Sequence, residues 1–200
     1  MVSPPEPRIA AILDAALEQF AAVGFMKTSM ADVARRAGVD RVTVYRTIGG
    51  AMEVRDAALT LAGLRMAAQI EESLVGIDDP AAKLEQAFVS MVMTFRSHPV
   101  LVKAMEVGRG EALDDLSQRS AMWLTSGAEP IVDILKTSRA SGRGSVVDDA
   151  DLASVVLRLL HSMVVFPDIG PAMTSEDDVR NFVRRAVVPL IIGQSPDSPK

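Results

Sequence analysis

The stretch from Thr28 to Arg46 constrains this chain more than any other. It spells two short helical patterns on either side of Gly38. Ser29 followed by Asp32 has the form of a capping box, which opens the first of them. Asp40 stands where it can cap the second, with Arg41, Val42 and Thr43 in its first turn. Met30, Val33, Ala34 and Ala37 give the first helix a small, close-packing face, and Val39, Val44 and Ile48 are the expected core contacts of the second. Arg35, Arg36, Arg41, Tyr45 and Arg46 bring cationic and phenolic groups suited to a polyanion. Two such helices about a tight turn form a helix-turn-helix, which puts duplex DNA ahead of any small substrate as the first partner to consider.

The flanking sequence agrees. Pro7 suits the first turn of a helix, and Ile9, Leu13, Ala16, Leu17 and Phe20 continue it as a helical stripe that ends at Gly24. Gly49-Gly50 breaks the chain again before a fourth helix from about Ala51. The net charge of −5 argues against nucleic acid only when taken whole. From Met1 to Asp56 there are about seven basic and about seven acidic residues, and between Lys27 and Arg46 about five against two. The acidic excess lies in the remainder, where it limits non-specific adhesion while a local cationic patch holds phosphate.

Beyond this region Ala, Leu, Val and Met abound, aromatics are scarce, and no strand alternation or fixed-period repeat is visible. Helices are expected over about 52–75, 81–97, up to about 107, 113–140 with a kink or break at Pro130, 148–166 and 175–192. Ser3–Pro7, Ser141–Ser145 and Gly193–Lys200 read as extended or turn-rich. The fold class is therefore all-α: a DNA-binding domain over 1–50 and a helical ligand-binding and dimerisation domain over 51–200. No cysteine is present, so disulfides and thiolate metal sites are excluded. The start lacks a secretory pattern and no apolar run reaches membrane length, which together point to the cytoplasm.

Phe20-Ala21-Ala22-Val23-Gly24-Phe25, Thr28-Ser29, Val33-Ala34, Ala37-Gly38-Val39 and Thr43-Val44-Tyr45 resemble the N-terminal domain of TetR-family transcriptional regulators, over about Arg8 to Leu59. The resemblance implies that Thr28, Ser29 and Thr47 contact phosphate. It implies that Arg41, Val42, Thr43, Tyr45 and Arg46 meet the major groove, with Val44 in the core. Physical chemistry concurs: guanidinium groups at 41 and 46 can bond guanine O6 and N7, and the methyls of Val42 and Thr43 can pack on thymine methyls. One departure stands out. The family commonly enters its fourth helix with an aromatic and a lysine, whereas this chain has Ile48-Gly49-Gly50-Ala51. The lost lysine–phosphate contact should lower the salt slope of binding by about one. The paired glycines should loosen the link to the rest of the chain.

Two C-terminal helices carry wide apolar stripes: Leu152, Val155, Val156, Leu159, Leu160 and Met163 on one, Phe182, Val183, Ala186, Val187 and Leu190 on the other. Their width suits a four-helix bundle between two copies of the chain, with ordinary intrachain core accounting for part of it. The resemblance implies the same homodimer. Met66, Ile70, Phe88, Met91, Phe95, Met105, Met122, Trp123 and His161 are candidates to line an adaptable cavity for a small apolar or amphipathic effector, and solid core is the plainer reading of each. No cofactor or metal is expected: neither His98 nor His161 has a second ligand at metal spacing.

These features favour a ligand-responsive regulator, a repressor that binds a palindromic operator as a homodimer. Two other classes compete. A helical enzyme needs a nucleophile and base or a metal cluster, and the acidic groups Asp114-Asp115, Asp148-Asp149-Asp151 and Glu176-Asp177-Asp178 sit near helix starts, where acids are favoured anyway. A helical protein-interaction module would be a monomer that recruits a different chain.

Overall fold

The computed structural model describes residues 6–142, 147–166, 173 and 175–192; the side chains of 109, 111–129, 164 and 165 lie outside this description. Among the described residues the chain is helical without strands. It divides into two compact units. Unit 1 comprises Met1–Ala68 and Ser97–Leu113, and unit 2 comprises Gln69–Arg96 and Asp114–Lys200.

Unit 1 begins with α1 (Pro7–Val23), which has a proline in its first turn and ends at Gly24. Gly24 adopts φ 89°, ψ 148°, a region nearly closed to residues with a Cβ. A single 3₁₀ turn (Phe25–Lys27) follows, and Phe25 meets Phe20 edge to face at 6.4 Å. Helix α2 (Met30–Arg36) opens with the expected capping box between Ser29 and Asp32. It closes in a Schellman turn: the Gly38 N–H donates to the Arg35 carbonyl and the Val39 N–H to that of Ala34, with Gly38 at φ 67°. Helix α3 (Arg41–Thr47) is capped by Asp40, whose carboxylate accepts from the Thr43 N–H at 2.7 Å. Helix α4 (Ala51–Ser73) starts directly after Gly50.

The α1–α3 sequence folds this way because its apolar positions converge on one core. Ile12, Leu13, Ala16, Phe20, Met30, Val33, Ala34 and Val44 are buried together with Val54 and Ala58 of α4 and Val100. Val39 and Ile48 pack at its margin. Val100 belongs to α6 (Pro99–Ala140), so the first turns of that helix are part of unit 1.

In unit 2, α5 (Pro80–Ser97), the later part of α6, α7 (Asp149–Val165) and α8 (Glu176–Phe182) enclose a second core. Phe88, Leu84, Val92, Val156, Val179 and Val183 are almost wholly enclosed. Acidic residues occupy the first turns of α7 and α8, and Asp148 and Ser175 cap them.

As the sequence reading expects of Gly108–Gly110, the backbone leaves helical angles at Gly108, so α6 is two helical stretches joined across a kink there. Two backbone features differ from that reading. The second stretch runs on through Pro130. A single missing donor is tolerated where the flanking turns hold the helix. The last helix is interrupted by a π turn over Val183–Val187 before α9 (Val188–Ile191). Pro189 lacks an N–H and its ring crowds the carbonyl four residues back, so the helix widens and the Val188 N–H donates to Val183 instead. The loops expected at Ser3–Pro7, Ser141–Ser145 and Gly193–Lys200 fall wholly or mostly outside the described residues.

Among the described residues no helix is long and apolar enough to cross a membrane, and no cluster of His, Asp and Glu is placed to hold a metal ion.

Candidate nucleic-acid interface

Helix α3 presents a face that the core of unit 1 does not use. Arg41, Val42, Tyr45 and Arg46 are all exposed on it, Val42 at 71% and Tyr45 at 43%. Arg41 and Tyr45 are one turn apart and braced. An Arg41 Nη2 N–H donates to the tyrosine hydroxyl at 3.1 Å, and the guanidinium carbon stands 5.4 Å from the ring centroid.

Thr43 points the other way. It is 7% exposed, and its hydroxyl donates to Asp40 at 2.8 Å. Residue 43 lies about a third of a turn from 42, on the side that packs with Val44. Asp40 holds its proton less tightly than an ordinary aspartate, first because of the Thr43 N–H and then because of the Thr43 hydroxyl. Thr47 is half-buried.

At the start of α2 the hydroxyls are already engaged. Thr28 donates to the Gly24 carbonyl at 2.9 Å, which fixes the turn after α1. Ser29 is exposed but shares its hydroxyl with Asp32 in the capping box. The Ser29 hydroxyl, and after it Arg35, hold the Asp32 carboxyl below the usual carboxylate range.

Arg35 and Arg36, read from sequence as groups for a polyanion, are paired inside the unit. Arg35 bonds Asp32, and Arg36 bonds Glu18 and Gln19, each at 3.1 Å. Their charges are offset by acids that a window restricted to residues 28–46 does not fully contain.

The Gly49-Gly50 link is close-packed rather than loose. A Cβ built on Gly49 would lie 3.0 Å from the Glu53 Cβ, and one on Gly50 would lie 3.0 Å from the Glu53 Oε2. Glu53 therefore folds back over the link, and glycine is the residue that leaves it room. Sequence reasoning missed Glu53 and its neighbour Met52, which is 68% exposed. The signal was present, since two adjacent glycines before a helix imply a close approach by something.

The C-terminal stripes divide. Leu152, Val156, Leu160, Met163, Val183 and Val187 are buried in the core of unit 2. Stripe width shows how much of a helix is covered, not which chain covers it. Val155 and Leu190 remain exposed, at 55% and 76%, while Leu159, Phe182 and Ala186 are half-buried.

The candidate effector residues are drawn from both units. Met66 and Met105 lie in unit 1; Ile70, Phe88, Met91, Phe95 and His161 lie in unit 2. Phe88 is fully enclosed as core, and Ile70, Met91, Phe95 and Met105 are half-buried. The His161 Nε2 is buried without a hydrogen-bond partner among the described residues. The side chains of Met122 and Trp123 lie outside the described residues.

A helix, a tight glycine turn and a second helix with a free cationic and apolar face make unit 1 a helix-turn-helix DNA-binding domain. The family model for bacterial regulatory proteins of the tetR family matches residues 12–47, from within α1 to the end of α3. Residues 12–47 are thus similar to the DNA-binding region of this family of transcriptional regulators.

No curated protein sequence matches the chain. Solved structures do. A TetR/AcrR family regulator from Thermobifida fusca YX-ER1 is 16% identical, with a TM-score of 0.66 over 91% of this chain and 99% of its own. The fatty acid degradation regulator FadR from Bacillus halodurans is 13% identical, with a TM-score of 0.64 over 92% and 98%. The ketosteroid transcriptional regulator KstR2 of Mycobacterium tuberculosis is 16% identical, with a TM-score of 0.58 over 96% and 98%. At these identities the likeness is one of fold.

Proposed function

We propose that the protein is a ligand-responsive repressor that binds a palindromic operator as a homodimer. The observation that carries this reading is the match to the tetR family over residues 12–47 falling on the two helices whose outer face bears Arg41, Val42, Tyr45 and Arg46. Two copies of α3, set about one DNA turn apart, would read the two halves of an operator together. Val155 and Leu190, large apolar side chains left in solvent on α7 and α9, support pairing through unit 2. Ser29 and Thr28 serve chiefly to hold the start of α2, Arg46 meets the major groove beside Arg41, and Thr47 meets the DNA backbone.

The effector is a small apolar or amphipathic molecule bound by unit 2. Half-buried Ile70, Met91 and Phe95 offer an apolar lining, and the unpartnered His161 Nε2 offers one polar atom. Two structural relatives are described as regulators of fatty acid degradation and of ketosteroids, apolar metabolites that such a lining suits. The ligand acts only through a difference in affinity between DNA-competent and released states.

Selection of bound duplex from a random pool tests the reading. Enrichment of an inverted repeat, with affinity that falls steeply with salt, is the expected result. Binding without dependence on sequence, or a particle that light scattering shows to be monomeric on DNA, would overturn it. For the effector, long-chain fatty acids should raise the melting temperature and release the selected duplex; melting unchanged across a panel of apolar ligands would refute that part.

A further inference from the structure

The chain has no cysteine and 11 methionines, so its oxidisable sulfur is all thioether. Met30, Met66, Met163 and Met173 are buried. Among the described residues two others are exposed, Met26 at 55% and Met52 at 68%, and both lie in unit 1. Met26 is set apart by what its sulfur faces. An Arg55 Nη1 N–H donates to the Met26 Sδ at 3.7 Å, and the same guanidinium stands 5.6 Å from the Phe25 ring centroid. Phe25 in turn meets the buried Phe20, and the Arg55 Nε lies 3.9 Å from an Asp56 carboxylate oxygen. The chain enters α2 and α3 through the Phe25–Lys27 turn and leaves them into α4, which carries Arg55. Met26 and Arg55 therefore join the two ends of the helix-turn-helix segment. A thioether is a weak acceptor, so in the reduced protein this link is slight.

We propose that Met26 is a site of reversible oxidation by hydroperoxides, whose sulfoxide oxygen accepts from the Arg55 guanidinium and fastens the entry of the helix-turn-helix to its exit. That the fastening bears on DNA rests on the DNA-binding reading above. In the oxidation the sulfur lone pair attacks one peroxide oxygen, and the S–O bond forms as the O–O bond breaks. Sulfur gives up two electrons; the departing hydroxide takes the proton of the transferred oxygen and leaves as water. Methionine sulfoxide reductases with a dithiol reverse the change, the dithiol becoming a disulfide and the oxygen leaving as water. The sulfoxide oxygen carries partial negative charge, so its bond to a guanidinium is charge-assisted and stronger than the thioether's. Holding both ends of the segment before binding lowers the cost of ordering it on DNA. Arg55 is here a positioning residue.

The test treats the full-length protein with limiting hydrogen peroxide. Peptide mass spectrometry should find one added oxygen on Met26 and Met52 before Met30, Met66, Met163 or Met173. In a Met52→Leu background, oxidation should slow exchange of the Thr28 amide, which donates to the Phe25 carbonyl, about three-fold. It should tighten binding of the selected duplex by a similar factor of about three, read by anisotropy. Met26→Leu should remove both responses, and Met26→Gln, which supplies a fixed carbonyl acceptor, should reproduce them without peroxide. Arg55→Leu should still be oxidised at Met26 but show neither response; circular dichroism verifies its fold. Reductase with dithiothreitol should restore the starting values. Met26 oxidised no earlier than the buried methionines would overturn the site. So would amide exchange that is unchanged or faster in the oxidised protein and in Met26→Gln, or weaker binding of the selected duplex after oxidation. Exchange is read without DNA, so slowed exchange in a protein that enriches no duplex would sustain the Met26–Arg55 bond and overturn only the function it rests on.

Discussion

Replacing Gly24 by alanine tests whether the end of α1 is held as the structure shows. Gly24 sits at φ 89°, ψ 148°, where a Cβ costs on the order of 1–3 kcal/mol. The new Cβ would also stand 2.7 Å from the Val107 Cγ2, about 1 Å inside an ordinary carbon–carbon contact. Val107 is 41% exposed, so it can turn toward solvent, and the steric share should be limited to an off-rotamer cost of about 1 kcal/mol. The total, roughly 2–4 kcal/mol, is a large part of a small domain's stability and lowers its melting temperature by on the order of 10 °C. Val107→Ala in the Gly24→Ala background should recover only the steric part, giving a coupling near 1 kcal/mol in a double-mutant cycle. Hydrogen exchange across α1–α3 at increasing urea reports unit 1 directly. A Gly24→Ala protein within about 0.5 kcal/mol of the parent, the range of neutral surface changes, would refute the backbone argument. A zero coupling would refute the contact with Val107.

Other outcomes follow from the same geometry. Glu85 is 8% exposed and accepts two bonds from Arg184, each at 2.9 Å, and one from Arg180 at 3.1 Å. Its hydrogen bonds with Arg184, opposed by burial and aided by Arg180, depress its carboxyl below the ordinary glutamate range. The folded state thus binds this proton less readily than the unfolded chain. Its contribution is present above the ordinary glutamate range and is lost as pH falls through the depressed folded value. Glu85→Gln should cost about 1–3 kcal/mol near neutrality and flatten that acid limb, as followed by thermal melts at stepped pH. Ser29→Ala should destabilise α2 by about 0.5–2 kcal/mol, seen as faster exchange of its first amides, with little change in which DNA sequence is preferred. Arg46→Ala should weaken the selected duplex more than unrelated duplex, measured by anisotropy; an equal loss on every sequence would contradict a groove role.

The sequence by itself determined the helix-turn-helix, because its signals are local. Ser29 and Asp32 cap α2 three residues apart, Asp40 caps α3 through Thr43, and Gly38 closes the turn between them. Such devices act within one or two helical turns and need no knowledge of the rest of the chain. The Arg41–Tyr45 brace is equally local, at one turn's spacing, although its geometry had to be seen. Only the tertiary structure decided which charges are free and which apolar groups are covered. Arg36 finds Glu18 on another helix, and Arg180 and Arg184 find Glu85 across most of a hundred residues. Val155 and Val156 stand side by side in the sequence stripe, yet one lies in solvent and the other is sealed in the core. A helical pattern records that a face is apolar, but the partner that covers it is chosen by packing between segments distant along the chain.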